Sequence, residues 1–287
     1  MADEHQSDGM ECSPAGTAAA PPRIAATAVV EPGAVLGAGV VIGHHSVISG
    51  DAVVGSATVI GSHVTLLGEV RIGARNRIFP NAVIGAEPQD ISYRGSRTRV
   101  VIGDDNVIRE GVTINRATEK EDGETIVGNG NYLMANSHVA HDCRVADHVI
   151  IANGTLLGGH VRVQSHASLS GAVAVHHWAT IGGWSFVAGV SRVLHDIPPF
   201  MLCEGLPARP RCVNVVALRR GGFTPDAIAA LTEAHRLVHR AKVGLASARE
   251  ILQKQGMLLP PVVELLDFLA HQHEGRHGRA RERRRAA

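Results

Sequence analysis

His141, Gly159, His177 and His195 follow one another at intervals of 18 residues, and the next positions repeat the interval as Asp142, His160, Trp178 and Asp196. Imidazoles and carboxylates move protons near neutral pH. His141 and Asp142 are adjacent, and a carboxylate beside an imidazole can orient it or raise its basicity. A glycine at 159 leaves space over His141 and an approachable backbone N–H, as an oxyanion site needs. His138 precedes the group, and His176 adjoins His177. This set suits a general base that deprotonates a hydroxyl attacking a carbonyl. No serine or cysteine is paired with it as a nucleophile.

An interval of 18 matters only if the chain returns to one place every 18 residues. Between Ile24 and Pro199 it has the period to do so. An aliphatic residue recurs every six positions, from Ile24 to Ile84, from Ile102 to Ile114 and from Val127 to Val193. A small residue usually stands four places later, as at Ser46, Ala82, Ser137, Cys143, Thr155 and Ala179. Six is a multiple of two, so both positions keep one face of an extended strand; a helical stripe would drift. The period predicts a parallel β-helix with an aliphatic interior and small residues at its corners. With three hexads per coil, residues 18 apart stack on one face, roughly 4.8 Å from coil to coil.

Of 17 histidines, 11 lie in the repeats. None occupies an aliphatic or small slot, so all should point outward, whereas Cys143 falls in an inward slot. Three imidazoles also suit zinc. However, His141 and His177 are two coils apart, roughly 10 Å, too far to share one ion within a chain. No metal and no cofactor is expected, since a base and an amide can handle the proton and the oxyanion.

The organisation follows the period. Residues 1–23, rich in Ala, Pro, Ser and acids, read as disordered. Residues 24–199 form the solenoid, broken at 86–100 and 115–126 by polar excursions of the kind that carry binding residues on a rigid scaffold. Residues 200–273 read as a helical domain. Thr224-Pro225-Asp226 starts one helix, and others are expected around 246–255 and 261–272. This domain should cap the open end of the stack. The basic run within 274–287 reads as a solvated, disordered tail.

Composition narrows the class. Aromatics are 3% of the chain, as suits a narrow aliphatic interior, and a net charge of +1 gives no pull toward nucleic acid. The four cysteines, Cys12, Cys143, Cys203 and Cys212, show no paired spacing and are expected as reduced thiols. There is no basic region followed by an apolar run at the N-terminus and no apolar stretch of membrane-spanning length. A soluble, cytoplasmic protein is expected.

Several stretches carry a family resemblance: Asn136-Ser137-His138-Val139-Ala140-His141-Asp142-Cys143, Pro88-Gln89-Asp90, Gly159-His160-Val161, Ala174-Val175-His176, Val213-Asn214-Val215 and Leu218-Arg219-Arg220-Gly221-Gly222-Phe223. From about Ile24 to Leu269 the chain resembles the acyl-ACP–UDP-N-acetylglucosamine O-acyltransferases of lipid A synthesis. The resemblance implies a left-handed parallel β-helix with a C-terminal α-helical domain. It implies transfer of a 3-hydroxyacyl group from acyl carrier protein to the 3-hydroxyl of UDP-N-acetylglucosamine. It assigns His141 as general base, Asp142 as its partner and the Gly159 N–H to the oxyanion. His138, His160, His176, Gln89 and Asp90 would contact the sugar or the acyl-pantetheine, and Asn214 and Arg220 the nucleotide. Gly189 matches a position that limits acyl length, where a glycine favours a longer chain. A homotrimer is implied too, and an outward histidine column needs a second copy to make a dry cleft. In that cleft the loop from Pro88 to Arg99 is expected to reach the neighbour's site.

The chain departs from the family pattern. Ser92 stands where a lysine is usual, leaving Arg94, Arg97 and Arg99 as candidates for the missing charge. His177 replaces a glutamine, Pro207 a histidine, Gly221 a second basic residue and Val216 an acidic one. A modified UDP-sugar is therefore an alternative acceptor. A related N-acyltransferase also competes, but it carries an additional N-terminal uridine-binding domain. A zinc carbonic-anhydrase-like enzyme would hold bound zinc. A non-enzymatic solenoid would have no need of the His141, Asp142 and Gly159 column.

Overall fold

The computed structural model describes residues 20–282. Of the segment 1–23 expected as disordered, residues 1–19 lie outside them, whereas Arg23 already pairs with Val41 in the first strand. The chain is a left-handed parallel β-helix with short helices at its C-terminal end. Its strands form three sheets of 11, 9 and 8 members. Ile24 pairs with Ile42, Val30 with Ile48 and Leu36 with Val54, one pair per sheet, so each coil is three hexads. From Ile42 to Val193 the aliphatic residues that open the hexads are buried in one continuous core. Burial of these side chains against the coil above and below drives the stacking. The small slots are filled as the corners require. Ala52, Ala82, Ala167 and Ala179 pack without polar atoms. Ser46 and Thr155 donate to the carbonyls of Gly61 and Ser170, at 2.7 Å each, so their buried hydroxyls are satisfied.

Both excursions fall at one corner. The first leaves the strand Val83–Ala86 of the nine-stranded sheet and re-enters at Arg99–Ile102 of the eight-stranded sheet. The second runs likewise from Thr113–Asn115 to Glu124–Val127. In the next coils the same corner carries His141 and Asp142, then Gly159 and His160, then His177 and Trp178. The histidine column thus runs along an edge between two sheets rather than across a flat face. Asp142, His160 and Trp178 take left-handed turns there, with φ of 59°, 63° and 67°. Such turns are costly for a ring as large as tryptophan. Trp178 has its ring stacked on His160, 4.0 Å between centroids.

Beyond Pro199 a hairpin, Met201–Gly205 and Ala208–Val213, extends the eleven-stranded sheet. Helices follow at Val215–Arg220, Pro225–His235, Leu245–Lys254 and Pro260–Glu274, with a π-helical turn at Arg236–Arg240. Thr224 caps the second helix by accepting from the Ala227 N–H. Among the described residues no helix is long and apolar enough to cross a membrane, and Cys143, Cys203 and Cys212 are free thiols.

The C-terminal run differs from its expectation. Residues 275–282 fold back on the last coils rather than trailing as a solvated tail from 274. Asp196 accepts from the Ala280 N–H at 2.7 Å, and its own N–H donates to the Gly278 carbonyl at 2.8 Å. Arg279 is buried and bonds the Leu194 carbonyl. The last coil leaves acceptors that arginines and backbone N–H groups satisfy. Residues 283–287 lie outside the described part.

Candidate active site

The corner holds His141 firmly. Its Nδ1 lies 2.8 Å from Asp142 Oδ2, which leaves Nε2 as the atom free to meet a substrate. Asp142 has its side chain wholly buried, and its Oδ2 also accepts from Thr118 Oγ1 at 2.7 Å. Burial opposes the charged form of Asp142, yet the bonds from His141 and Thr118 and the nearby His160 hold its carboxyl below the ordinary carboxylate value. An ionised Asp142 fixes the tautomer and orientation of His141 and could stabilise an imidazolium if His141 accepted a proton. Thr118 comes from the second excursion, so that segment buttresses the base. The repeat alone gave no sign of this.

Gly159 lies directly over the ring of His141. A Cβ built on it would stand 2.4 Å from His141 Cε1 and 2.6 Å from Nε2. Only a glycine fits without moving the imidazole. Among the described residues its N–H has no hydrogen-bond acceptor, whereas Gly158 N–H donates to the Val175 carbonyl at 2.9 Å. A free N–H beside the base is the donor an oxyanion requires.

Two adjoining cavities flank this pair. One, of about 300 Å³, is lined by Gln89, His138, His141, Gly159 and the apolar Leu156 and Val175. The other, of about 490 Å³, includes Asp90, Lys120, His141, Gly159, His160 and His176. Six residues that the resemblance assigned (Gln89, Asp90, His138, His160, His176 and Gly159) are therefore gathered around His141 in one chain. His138 Nδ1 lies 2.7 Å from Thr113 Oγ1, and burial followed by the charge of His141 lowers its pKa. His160 is the exception among the outward histidines. It is buried from outside, between His141 and Trp178.

The loop from Pro88 to Arg99 was expected to reach a neighbour's site. Within the chain its Gln89 and Asp90 line the cavities around His141, because the excursion leaves from the same corner. A lysine reaches Asp90 from outside this loop. Lys120 Nζ meets Asp90 Oδ2 at 2.5 Å and, with two bonds from Ser92, holds the Asp90 carboxyl far below its usual range. The arginines serve elsewhere. Arg99 pairs with Glu124 at 2.6 Å, Arg97 lies 3.5 Å from Glu69, and Arg94 bonds the Ile91 and Tyr93 carbonyls.

Asn214 and Arg220 lie on another side. They line a cavity of about 780 Å³ with His148, His166, Trp184 and Phe186, along the eleven-stranded sheet. This cavity shares no lining residue with the two around His141. Asn214 caps the helix Val215–Arg220, and its Nδ2 donates to the Trp184 carbonyl at 2.8 Å. Gly221 now has a reason. A Cβ there would lie 2.4 Å from the Trp184 ring, so the tryptophan occupies the space a basic side chain would need. Gly189 lies between strands of the eleven- and nine-stranded sheets and lines none of these three cavities.

His141, Asp142 and His160 offer ligand atoms within 4.8 Å of one another, a spacing that a metal ion could also use. Asp142 Oδ2 is already committed to His141 and Thr118, and Thr118 N–H lies 3.2 Å from both carboxylate oxygens. An ion would have to displace the bonds that orient the base.

Similarity to known proteins agrees with this geometry. A family model described as "Udp N-acetylglucosamine O-acyltransferase; Domain 2" matches residues 196–278, and one described as "Bacterial transferase hexapeptide (six repeats)" matches 124–159. The acyl-[acyl-carrier-protein]–UDP-N-acetylglucosamine O-acyltransferase of Gloeothece citriformis (strain PCC 7424) is 46% identical over 198 residues, 69% of this chain and 71% of that one. The protein of the same name from Burkholderia mallei (strain SAVP1) is 40% identical over 203 residues, 69% and 78% of the two chains. A crystal structure of a UDP-N-acetylglucosamine acyltransferase from Bacteroides fragilis 9343 matches with a TM-score of 0.82 at 34% identity, covering 86% of this chain and 96% of that one.

Proposed function

The chain belongs to the family of acyl-ACP–UDP-N-acetylglucosamine O-acyltransferases, and from that premise we propose that it moves a 3-hydroxyacyl group from acyl carrier protein to the 3-hydroxyl of UDP-N-acetylglucosamine, the first step of lipid A biosynthesis. The observation that carries the reading is Gly159 placed over a carboxylate-oriented His141. In this mechanism His141 Nε2 takes the proton of the sugar hydroxyl as its oxygen attacks the thioester carbonyl. The new C–O bond forms, and the carbonyl oxygen carries its negative charge to the Gly159 N–H. Collapse breaks the C–S bond, and the departing pantetheine sulfur receives the proton from His141. Gln89, Asp90, His138, His160 and His176 hold the sugar and the acyl-pantetheine, Asn214 and Arg220 hold the nucleotide, and Gly189 sets the acyl length. Residues 24–199 act as the transferase domain; of 200–273, expected as wholly helical, the hairpin Met201–Gly205 and Ala208–Val213 extends the solenoid and the helices from Val215 onward act as its cap. Both substrates are soluble carriers, so the reaction belongs in the cytoplasm.

The test is product analysis. Protein treated exhaustively with chelator is offered a ladder of 3-hydroxyacyl carrier proteins with UDP-N-acetylglucosamine, and the product mass is read. An O-acylated sugar nucleotide is expected at undiminished rate. Activity lost on chelation and restored by zinc alone would transfer the reading to a metal enzyme.

A single substrate must touch both the base and the nucleotide residues. Those groups line separate cavities in one chain, and a second copy unites them if three copies share their edges in a ring. Light scattering is expected to show three chains per particle, unchanged by micromolar dilution. Mixed under conditions that let subunits exchange, inactive His141→Ala and Arg220→Ala chains should regain activity at roughly a quarter of the sites, those combining two intact halves. An active monomer would refute the arrangement.

A further inference from the structure

The C-terminal segment brings a guanidinium to the rim of the histidine corner. Arg281 Nη1 donates to the His160 carbonyl at 2.5 Å, and Nη2 donates to Glu121 Oε1 at 2.8 Å. Its guanidinium carbon lies 5.3 Å from the centre of the Trp178 ring, the ring on which His160 stacks. Glu121 belongs to the second excursion, and its other oxygen lies 3.5 Å from His160 Nδ1. That Nδ1 is buried and has no hydrogen-bond partner. Glu121 therefore stands between two cationic candidates, and only Arg281 bonds it. Anchors on either side hold the segment in place. His277 bonds His195 through its carbonyl at 2.5 Å, and Ala280 bonds Asp196.

We propose that Arg281 is a positioning residue for the acyl transfer: by engaging Glu121 it keeps His160 neutral and in place beside His141. The proposal rests on the reading of His141 as the base. Its physical content is a choice of partner for one carboxylate. Paired with Arg281, Glu121 is largely neutralised. Left alone, it would favour a proton on His160, as an opposite charge within ~4–6 Å does. The other charged and titratable groups facing His160 are Asp142, whose Oδ2 is 3.8 Å from Nε2, His141, whose ring centroid is 5.2 Å away, and His177. Burial is the largest influence on His160 and lowers its pKa, whereas Asp142 and Glu121 act to raise it. Burial and then Arg162 lower the pKa of Arg281, and Glu121 and Asp196 offset this only in part. A protonated His160 would oppose the positive charge that His141 acquires when it takes the hydroxyl proton.

The test uses the full chain and two readouts. Imidazole NMR titration, with His160 assigned through His160→Gln, follows its pKa without any substrate. Turnover with acyl carrier protein and UDP-N-acetylglucosamine is measured across pH in parallel. In Arg281→Ala the pKa of His160 should rise by about one unit, and turnover at neutral pH should fall several-fold, the loss shrinking as pH rises. Adding Glu121→Gln should return both toward the parent values, whereas Glu121→Gln alone should lower the His160 pKa and leave turnover at neutral pH little changed, since His160 is then neutral as before. Arg281→Lys, which keeps the charge but not the two-pronged contact, should fall between. An unshifted His160 in Arg281→Ala would overturn the proposal, and so would a shift that Glu121→Gln does not reverse, since mere exposure to water would explain that. A normal NMR response in an inactive parent protein would instead count against the transferase reading.

Discussion

His141→Ala is expected to lower turnover by at least about 10²–10⁴-fold, the usual contribution of one positioned base, while the stack stays folded. The side chain lies at an outward corner, so its removal takes nothing from the aliphatic core. What is lost is, among the described residues, the only imidazole whose Nδ1 is held by the buried Asp142 at hydrogen-bond distance and over whose ring Gly159 lies. Asp142→Asn should cost less, because the imidazole remains. Steady-state kcat, measured beside circular dichroism and light scattering, checks the claim. A variant that is folded, assembled as the parent is and nearly as fast would remove His141 from the mechanism.

Gly159→Ala should disable the enzyme almost as severely, through one added methyl group. The φ of Gly159 is not in the left-handed region, so the backbone accepts alanine without strain. The obstacle is the base itself, because the new Cβ would overlap the His141 ring at 2.4 Å. The ring must swing away, breaking its 2.8 Å contact with Asp142 and leaving the space where the thioester oxygen should settle. Loss of an aligned base alone predicts a fall of about 10²-fold or more, and a disturbed oxyanion donor adds to it. The melting temperature should barely change, and kcat should fall far more than substrate binding weakens. A crystal structure of the variant with His141 undisturbed, or a normal kcat, would contradict the steric argument.

The 18-residue column is legible in the sequence itself, and the reason is physical. In a solenoid each coil touches only the next, and the period sets the register. Once Ile24 must pair with Ile42, and every later hexad likewise, Gly159 must lie over His141 and His160 over Asp142. Helix starts were equally local: Thr224 accepts from the Ala227 N–H, and Pro225 at the first helical position has no N–H that needs a partner. What the period did not show was whether the column sat on a face or an edge, because a hexad does not reveal where its turn falls.

Folding in three dimensions chose the partners that come from outside the repeat. Lys120 meets Asp90 across 30 residues, Thr118 meets Asp142 across 24, and Arg281 meets Glu121 across 160. Each involves an excursion or the C-terminal segment, where no period fixes the register and long charged side chains sample many partners. A basic run alone reads as solvated, since nothing in it predicts that Asp196, Trp178 and the His160 carbonyl can each take a further partner at the last corners. The separation of Asn214 and Arg220 from His141 is of the same kind. The repeat determines what lies above each residue in its own chain, while the placement of the helical cap and the meeting of copies depend on packing between surfaces.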